Sequence, residues 1–309
     1  GIVRSPFGNV GNVINRGWEF SVNYNGTAAR GQLSYNVWAN YSYNKGYVQD
    51  YGTRKGAVKH DDPNLMSSSL LYSEANYPWY SFLVFKTDGI FRTQEEIDNY
   101  TWTNPETGAT SLIQSGAKVG DLKFVDIDNN GVINDDDRYF AGSYAPVHTY
   151  SFGGSLNWKG FDFSIMFQGV AGNYIYNGLK MMGLKGGNGG DGSGNLGADA
   201  LNTWDFNPES SKYPRLEMGV KGITNGNYTK FSDLFIEKGD YLRLKNITLG
   251  YTLPKFGKYM PGIRVYASVD NVCTITGYSG IDPEVGNYGI DRGVYPLSRF
   301  FNFGINLNF

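Results

Sequence analysis

At 309 residues, with 42 Gly, 24 Tyr, 19 Phe and a net charge of −2, the chain is long enough for one large domain or two small ones. Only 18% of the residues are charged and 16% are aromatic, so nothing suggests a nucleic-acid partner, and the balance is unlike that of a soluble α/β enzyme. The single Cys273 excludes an internal disulfide framework, and no run of about 18 apolar residues offers a membrane helix, a test that barrel strands escape.

Residues 1–15 are Gly/Asn-rich and irregular, without an initiator Met or a signal-peptide pattern, so the chain reads as part of something longer. Trp18, Phe20, Val22 and Tyr24 then alternate with Gly17, Glu19, Ser21 and Asn23, which predicts a first strand. After a turn at 26–31, Leu33, Tyr35, Val37, Ala39, Tyr41 and Tyr43 alternate with Gln32, Ser34, Asn36, Asn40, Ser42 and Asn44. Trp38 is the one large residue on the polar side. From 46 to 147 no long alternation appears. A short strand is predicted within 81–91, and a short helix over 93–98, where Thr93 and Glu96 have capping-box spacing.

Within that insert lies an acidic loop running from Asp126 to Asp137. Asp126, Asp128, Asn130, Gly131, Ile133 and Asp137 occupy positions 1, 3, 5, 6, 8 and 12 of an EF-hand calcium loop. Val132 would offer its backbone carbonyl at position 7, and Asn134 a ligand at position 9. Asp137 stands where Glu is usual, and no pair of amphipathic helices flanks the loop. The expected cofactor is a structural calcium ion held by Asp126, Asp128, Asn130, Val132 and Asp137; the alternative is an acidic turn tied by Asx hydrogen bonds without an ion.

A hairpin follows. Tyr150, Phe152, Gly154, Leu156 and Trp158 share one side of its first strand. Beyond Lys159-Gly160, the matching side carries Phe161, Phe163, Ile165 and Phe167. A second insert, 173–240, contains a Gly-rich run at 183–197, expected to be mobile. Strands are again predicted where Ile247, Leu249, Tyr251 and Leu253 alternate with polar residues, and at Ile263, Val265, Ala267 and Val269. A loop at 277–298 precedes a last strand bearing Phe301, Phe303, Ile305, Leu307 and Phe309.

Short turns (26–31, 159–160, 254–261) thus alternate with long loops (46–147, 173–240, 277–298). In an up-and-down meander this puts all short turns at one end, the asymmetry of outer-membrane barrels. The fold class is therefore all-β, an antiparallel up-and-down transmembrane β-barrel. Seven strands are counted, or nine if the first insert hides a pair. Seven cannot close a bacterial barrel, so the chain should be the C-terminal portion of a larger one.

Catalytic signals are weak, and no enzyme is expected. His60 and His148 stand in unrelated contexts, and His60-Asp61-Asp62 reads as a solvated loop rather than a metal cluster. The loop aromatics Tyr77, Trp79, Tyr80, Trp204, Tyr288 and Tyr295 are of a kind that stacks on sugars or peptides, though packing is the plainer role for each.

The run Gly120-Asp-Leu-Lys-Phe-Val-Asp-Ile-Asp-Asn-Asn-Gly to Arg138, with Phe152-Gly, Lys159-Gly-Phe-Asp-Phe163 and Phe167-Gln-Gly169, resembles the barrel of SusC/RagA-type TonB-dependent transporters. Lys86-Thr-Asp-Gly-Ile-Phe91, Asp240-Tyr-Leu-Arg-Leu-Lys-Asn-Ile-Thr-Leu-Gly-Tyr251 and the terminal Phe309 extend the resemblance over most of the chain. It implies a 22-stranded barrel with an N-terminal plug, neither the plug nor the TonB-contacting segment lying in these residues. It also implies a SusD-like surface lipoprotein as lid and TonB-powered import of oligosaccharide, or of oligopeptide, across the bacterial outer membrane. The competing readings are a secreted, calcium-stabilised β-sandwich acting on carbohydrate and a structural surface or filament protein.

Overall fold

The computed structural model describes residues 11–52, 56–60, 70–185, 195–217, 225–254 and 261–308. Seven strands form one antiparallel sheet: β1 (Asn12–Ala28), β2 (Leu33–Asp50), β3 (His148–Trp158), β4 (Phe161–Ala171), β5 (Tyr241–Thr252), β6 (Gly262–Thr276) and β7 (Phe300–Asn308). Their spatial order is their chain order, so the sheet is an up-and-down meander. The first two strands run well past the ends of their alternating patterns, to 17 and 18 residues.

Antiparallel register places like with like. Phe20 lies opposite Tyr41, Phe152 opposite both Ala39 and Phe167, Phe161 opposite Tyr251, and Val265 opposite Ile305. Because side chains alternate across a strand, these residues merge into one apolar face. It is left open, with Phe20 58% and Phe303 82% exposed. A sandwich would stack a second sheet there; among the described residues none does. Cys273 is also exposed.

The opposite face is polar and cross-linked. Ser21 donates to Asn40 at 2.8 Å, Asn246 to Asp270 at 2.7 Å, and Asn302 to Asp270 at 3.0 Å. Trp38 is accommodated here because its neighbour is Gly153, where a Cβ would sit 2.9 Å from the indole. Nearer the short turns, Arg264 of β6 reaches over β5 to Asp162 of β4, with Nε–Oδ1 2.8 Å and Nη2–Oδ2 2.5 Å. The bridge passes over Gly250, where a Cβ would lie 2.5 Å from both carboxylate oxygens.

The turn between β3 and β4 is the tightest. Lys159 and Gly160 have φ of 47° and 88°, both left-handed, as a two-residue hairpin turn matching the strand twist requires.

All three long inserts lie at the other end and share a core. Leu70, Leu71, Phe82 and Val84 from the first pack with Tyr176, Met181, Leu184 and Phe235 from the second and Ile290 from the third, all buried. Two small sheets organise it: Arg138–Ser143, Ser81–Phe85, Leu71–Ser73 and Val58–Lys59, then Ile236–Lys238, Tyr174–Asn177 and Ile290–Asp291. The insert strands join these sheets or two further two-stranded ones, and none joins the large sheet, so the nine-strand alternative falls and seven stands among the described residues. The strand expected within 81–91 is two, Ser81–Phe85 and Thr87–Ile90.

Helix α1 (Gln94–Asp98) starts as expected, with Thr93 Oγ1 accepting from the Glu96 N–H at 3.2 Å. Glu96 reaches back to the N–H of Arg92 at 2.6 Å, one residue earlier than a regular capping box. Helix α2 (Gly178–Lys185) was not expected; two glycines and a weak apolar stripe hide it, yet Met181 and Leu184 are core residues. Asp61 and Asp62, the middle of the Gly-rich run, most of the 254–261 connection and Phe309 lie outside the described residues.

Gly250→Ala in the full-length protein should force the Asp162–Arg264 bridge apart at a cost of about 1–3 kcal/mol, the usual range for overpacking. The expected outcome is a lower temperature for loss of heat-modifiable migration on gels, with correct insertion retained. An unchanged temperature would show that the bridge contributes nothing.

Candidate functional site

The acidic loop joins strand Leu122–Phe124 to strand Arg138–Ser143, a strand of the loop core. Asp126 accepts through both oxygens, from the N–H of Asn130 at 3.2 Å and of Gly131 at 2.8 Å. Asp128 accepts from the Asn130 N–H at 3.1 Å and from its Nδ2 at 2.9 Å. Asn130 Oδ1 in turn accepts from the N–H of Val132, which is 57% exposed at the rim. Asp137 is fully buried and takes the N–H of Ile127 at 2.8 Å and of Asn134 at 2.7 Å. Gly131 sits at φ 83° with Trp102 packed where a Cβ would be, 2.6 Å away, so glycine is required twice over.

The loop thus brings together carboxylate oxygens of Asp126, Asp128 and Asp137, all within 4.8 Å of one another. Asn130 joins at the exposed edge, while the Asn134 side chain caps a 3₁₀ turn at Asp135–Asp137 by accepting from Asp136 N–H. Partial desolvation, reinforced by the charges of Asp137 and Asp126, pushes the Asp128 carboxyl above its ordinary value. An all-oxygen set of this kind suits a hard divalent cation. Each anion also accepts hydrogen bonds within the loop, so the same geometry suits an ion-free Asx turn. Beneath it Lys230 lies over the rings of Phe85 (5.4 Å) and Phe124 (4.8 Å). Burial lowers its pKa, and the charge of Asp137 pulls the other way.

Just upstream sits a buried polar cluster that sequence reasoning missed. Asp121, fully buried, pairs with Arg215 (Nε–Oδ1 2.5 Å), accepts from Asn227 Nδ2 at 2.9 Å and from the Lys118 N–H at 2.8 Å. Gln114 joins by donating to the Leu122 carbonyl at 2.7 Å and accepting from the Phe124 N–H at 3.0 Å. The Asp stands within the quoted Gly120-Asp-Leu-Lys-Phe run, but its side-chain partners Arg215 and Asn227 are about a hundred residues away and no local spacing signals them.

Two further clusters tie the last loop to its surroundings, one to the large sheet and one to the second insert. Arg243 of β5, 2% exposed, forks to Asp282 (2.7 Å) and Glu284 (2.5 Å) of the last loop and to Thr274 (2.8 Å). Glu237 accepts from Lys180 (2.8 Å), Asn177 (3.0 Å) and the Ser279 N–H (2.8 Å). Burial alone would raise the Glu237 carboxyl, but these donors outweigh it and hold the carboxyl below its ordinary range.

The loop aromatics now separate. Tyr80 is sandwiched between His60 (3.8 Å) and Tyr288 (4.6 Å), and Trp204 packs under Arg92 (5.5 Å); these are packing residues. Tyr77 stacks on Phe140 at 4.1 Å. Trp79, 44% exposed, borders a recess of about 420 Å³ with Asn15, Asn44, Ser143 and Tyr144, and Tyr295 is 85% exposed. The two histidines have separate partners: His60 bonds Ser73 at 2.6 Å, and His148 bonds Tyr41 at 2.7 Å.

Asp121→Ala should strand the Arg215 cation in the loop core and destabilise the loop assembly by about 3–5 kcal/mol. Limited proteolysis of the full-length protein should then cut within 195–217 faster than in the unsubstituted protein while heat-modifiability persists. Equal cleavage rates would refute a loop-organising role.

No protein-family model matches the chain. TonB-dependent receptor P3 of Formosa agariphila is 30% identical over 321 residues, 99% of this chain and 30% of the relative. TonB-dependent receptor SusC of Bacteroides thetaiotaomicron is 32% identical over 191 residues, 60% of this chain and 17% of the relative. Among solved structures, the RagAB peptide transporter superposes with a TM-score of 0.70 at 26% identity, over 97% of this chain and 30% of that chain. The chain therefore spans less than a third of the length of these relatives. It belongs to the SusC/RagA-type TonB-dependent receptors, outer-membrane proteins of whose β-barrel wall it forms a portion.

Proposed function

We propose that this chain is the C-terminal part of a 22-stranded barrel that imports oligosaccharide across the outer membrane, driven through TonB and lidded by a SusD-like lipoprotein. The supporting observation is the seven-stranded sheet with an open apolar face, a hydrogen-bonded polar face, and all three long inserts folded together at one end. The apolar face meets lipid and the polar face a wet lumen. The inserts then stand outside the cell, where a lid and a substrate arrive. Plug, TonB contact and energy coupling belong to other parts of the full-length transporter.

The recess beside Trp79 supports oligosaccharide, since an exposed aromatic face beside the amides of Asn15 and Asn44 suits the apolar and hydroxyl faces of a sugar. The likeness to the RagAB peptide transporter favours oligopeptide as the second reading. With the full-length transporter expressed in a strain lacking its own copy, Trp79→Ala should slow uptake of the cognate oligosaccharide several-fold. Peptide uptake that falls in its place would select the second reading. Tyr295→Cys should react with a membrane-impermeant maleimide on intact cells; no labelling would place the inserts in the periplasm.

The acidic loop is proposed to hold one structural calcium ion through Asp126, Asp128, Asn130, the Val132 carbonyl and Asp137. Three convergent carboxylates and the glycine turn support it. Calorimetry on the full-length transporter should show calcium binding that Asp126→Ala abolishes, with faster proteolysis of the loop after chelation. No binding heat and no chelator effect would leave the ion-free turn.

A further inference from the structure

The outward face of β1 and β2 changes character as it nears the long inserts. Phe20 and Val22, opposite Tyr41 and Ala39, lie in the apolar band. One step further, Trp18 packs on Tyr41 (ring centroids 5.1 Å) and Tyr43 (6.2 Å), and His148 of β3 packs on both tyrosines. Aromatic rings with polar tips in this position form the belt that marks a membrane interface. Two residues on, about 7 Å along the strand, come Arg16 and Lys45.

These two cations are direct register partners across the β1–β2 pair. Like charges directly opposite repel, and neither residue has an acidic partner among the described residues. Both are exposed, and both lie on the lipid-facing side, because they share the alternation of Trp18 and Tyr43 without an intervening bulge. With Tyr43, Tyr47, Asn76 and Pro78 they line a recess of about 580 Å³. A basic pair placed just above an aromatic belt meets the headgroup layer, and the outer leaflet of this membrane presents phosphorylated glycolipid there.

We propose that Arg16 and Lys45 form a docking site for a phosphate of an outer-leaflet lipid A headgroup, with the acyl chains lying along the apolar band below. An anion between the two cations converts their repulsion into two charge-assisted contacts, and Tyr43 and Tyr47 flank the pair in the same recess. The inference rests on the long inserts lying outside the cell.

Native mass spectrometry of the delipidated full-length transporter tests it, after reconstitution with lipid A, with the same lipid stripped of its phosphates, or with phosphatidylglycerol. The unsubstituted protein should retain lipid A in preference to both others. R16Q/K45Q should lower that occupancy about tenfold or more, and R16K/K45R should keep it. Equal retention of the phosphate-free lipid, preference for phosphatidylglycerol, or unchanged occupancy in R16Q/K45Q would overturn the proposal. The first comparison uses the unsubstituted protein, so it holds even if the glutamine variant fails to assemble. Maleimide labelling at Tyr295→Cys reports orientation separately, so a reversed orientation is distinguishable from a site that binds no lipid.

Discussion

A backbone crossing hydrocarbon finds no water, so each N–H and C=O must pair with a neighbouring strand at a cost of several kcal/mol where it does not. The ladder of β1 to β7 is the direct answer to that constraint. Once pairing is continuous, register decides which face every side chain occupies, and a slip of one residue would exchange the faces entirely. The sheet therefore commits Phe20, Phe152, Phe161 and Phe303 to one solvent and Ser21, Asn40, Asn246 and Asn302 to another. The one register shift between β5 and β6 falls between Leu244 and Asn246, facing Asn271 at a left-handed φ of 52°, near the insert end, where strict pairing matters less.

The two faces obey different rules. On the apolar side side chains need only bulk, since lipid conforms to them. On the polar side they meet water and one another, and the sheet stiffens itself with rungs such as Ser21–Asn40 and Asn302–Asp270. Glycine sets the reach of these rungs. Gly250 lets Arg264 span two strand spacings to Asp162, and Gly153 lets the Trp38 indole lie flat in a row of small polar residues.

This division explains what could be read in the residue order. Period-2 alternation is local and was imposed by two solvents, so all seven strands were legible, although their insert ends were not; beyond Tyr43, Lys45 and Tyr47 keep the alternation but not the polarity contrast that reveals it. The acidic loop was legible because it too is local, its carboxylates lying within twelve residues (Asp126 to Asp137). The loop core was not. Asp121 meets Arg215, Thr87 meets Asp233 at 2.6 Å, and Glu237 meets Ser279, pairings that only the folded inserts create. Helix α2 failed for lack of a stripe, and its two core residues are recognised only by what they touch.

The placement of dry core follows from the same physics. A barrel wall one strand thick has no interior of its own within seven strands, so the large buried side chains of this chain, Tyr176, Phe82, Phe91, Phe124 and Phe235, belong to the inserts. Those inserts are thus a folded unit with its own sheets rather than loose connections. Arg243, forked to Asp282 and Glu284, fastens one of them to β5, and Asp240 fastens another by accepting the Gly172 N–H at 2.7 Å. The acidic loop feeds directly into Arg138–Ser143, which pairs with the buried Ser81–Phe85 strand. Any charge the loop gains or loses therefore acts first on the insert unit, and reaches the wall only through ties such as those of Arg243 and Asp240.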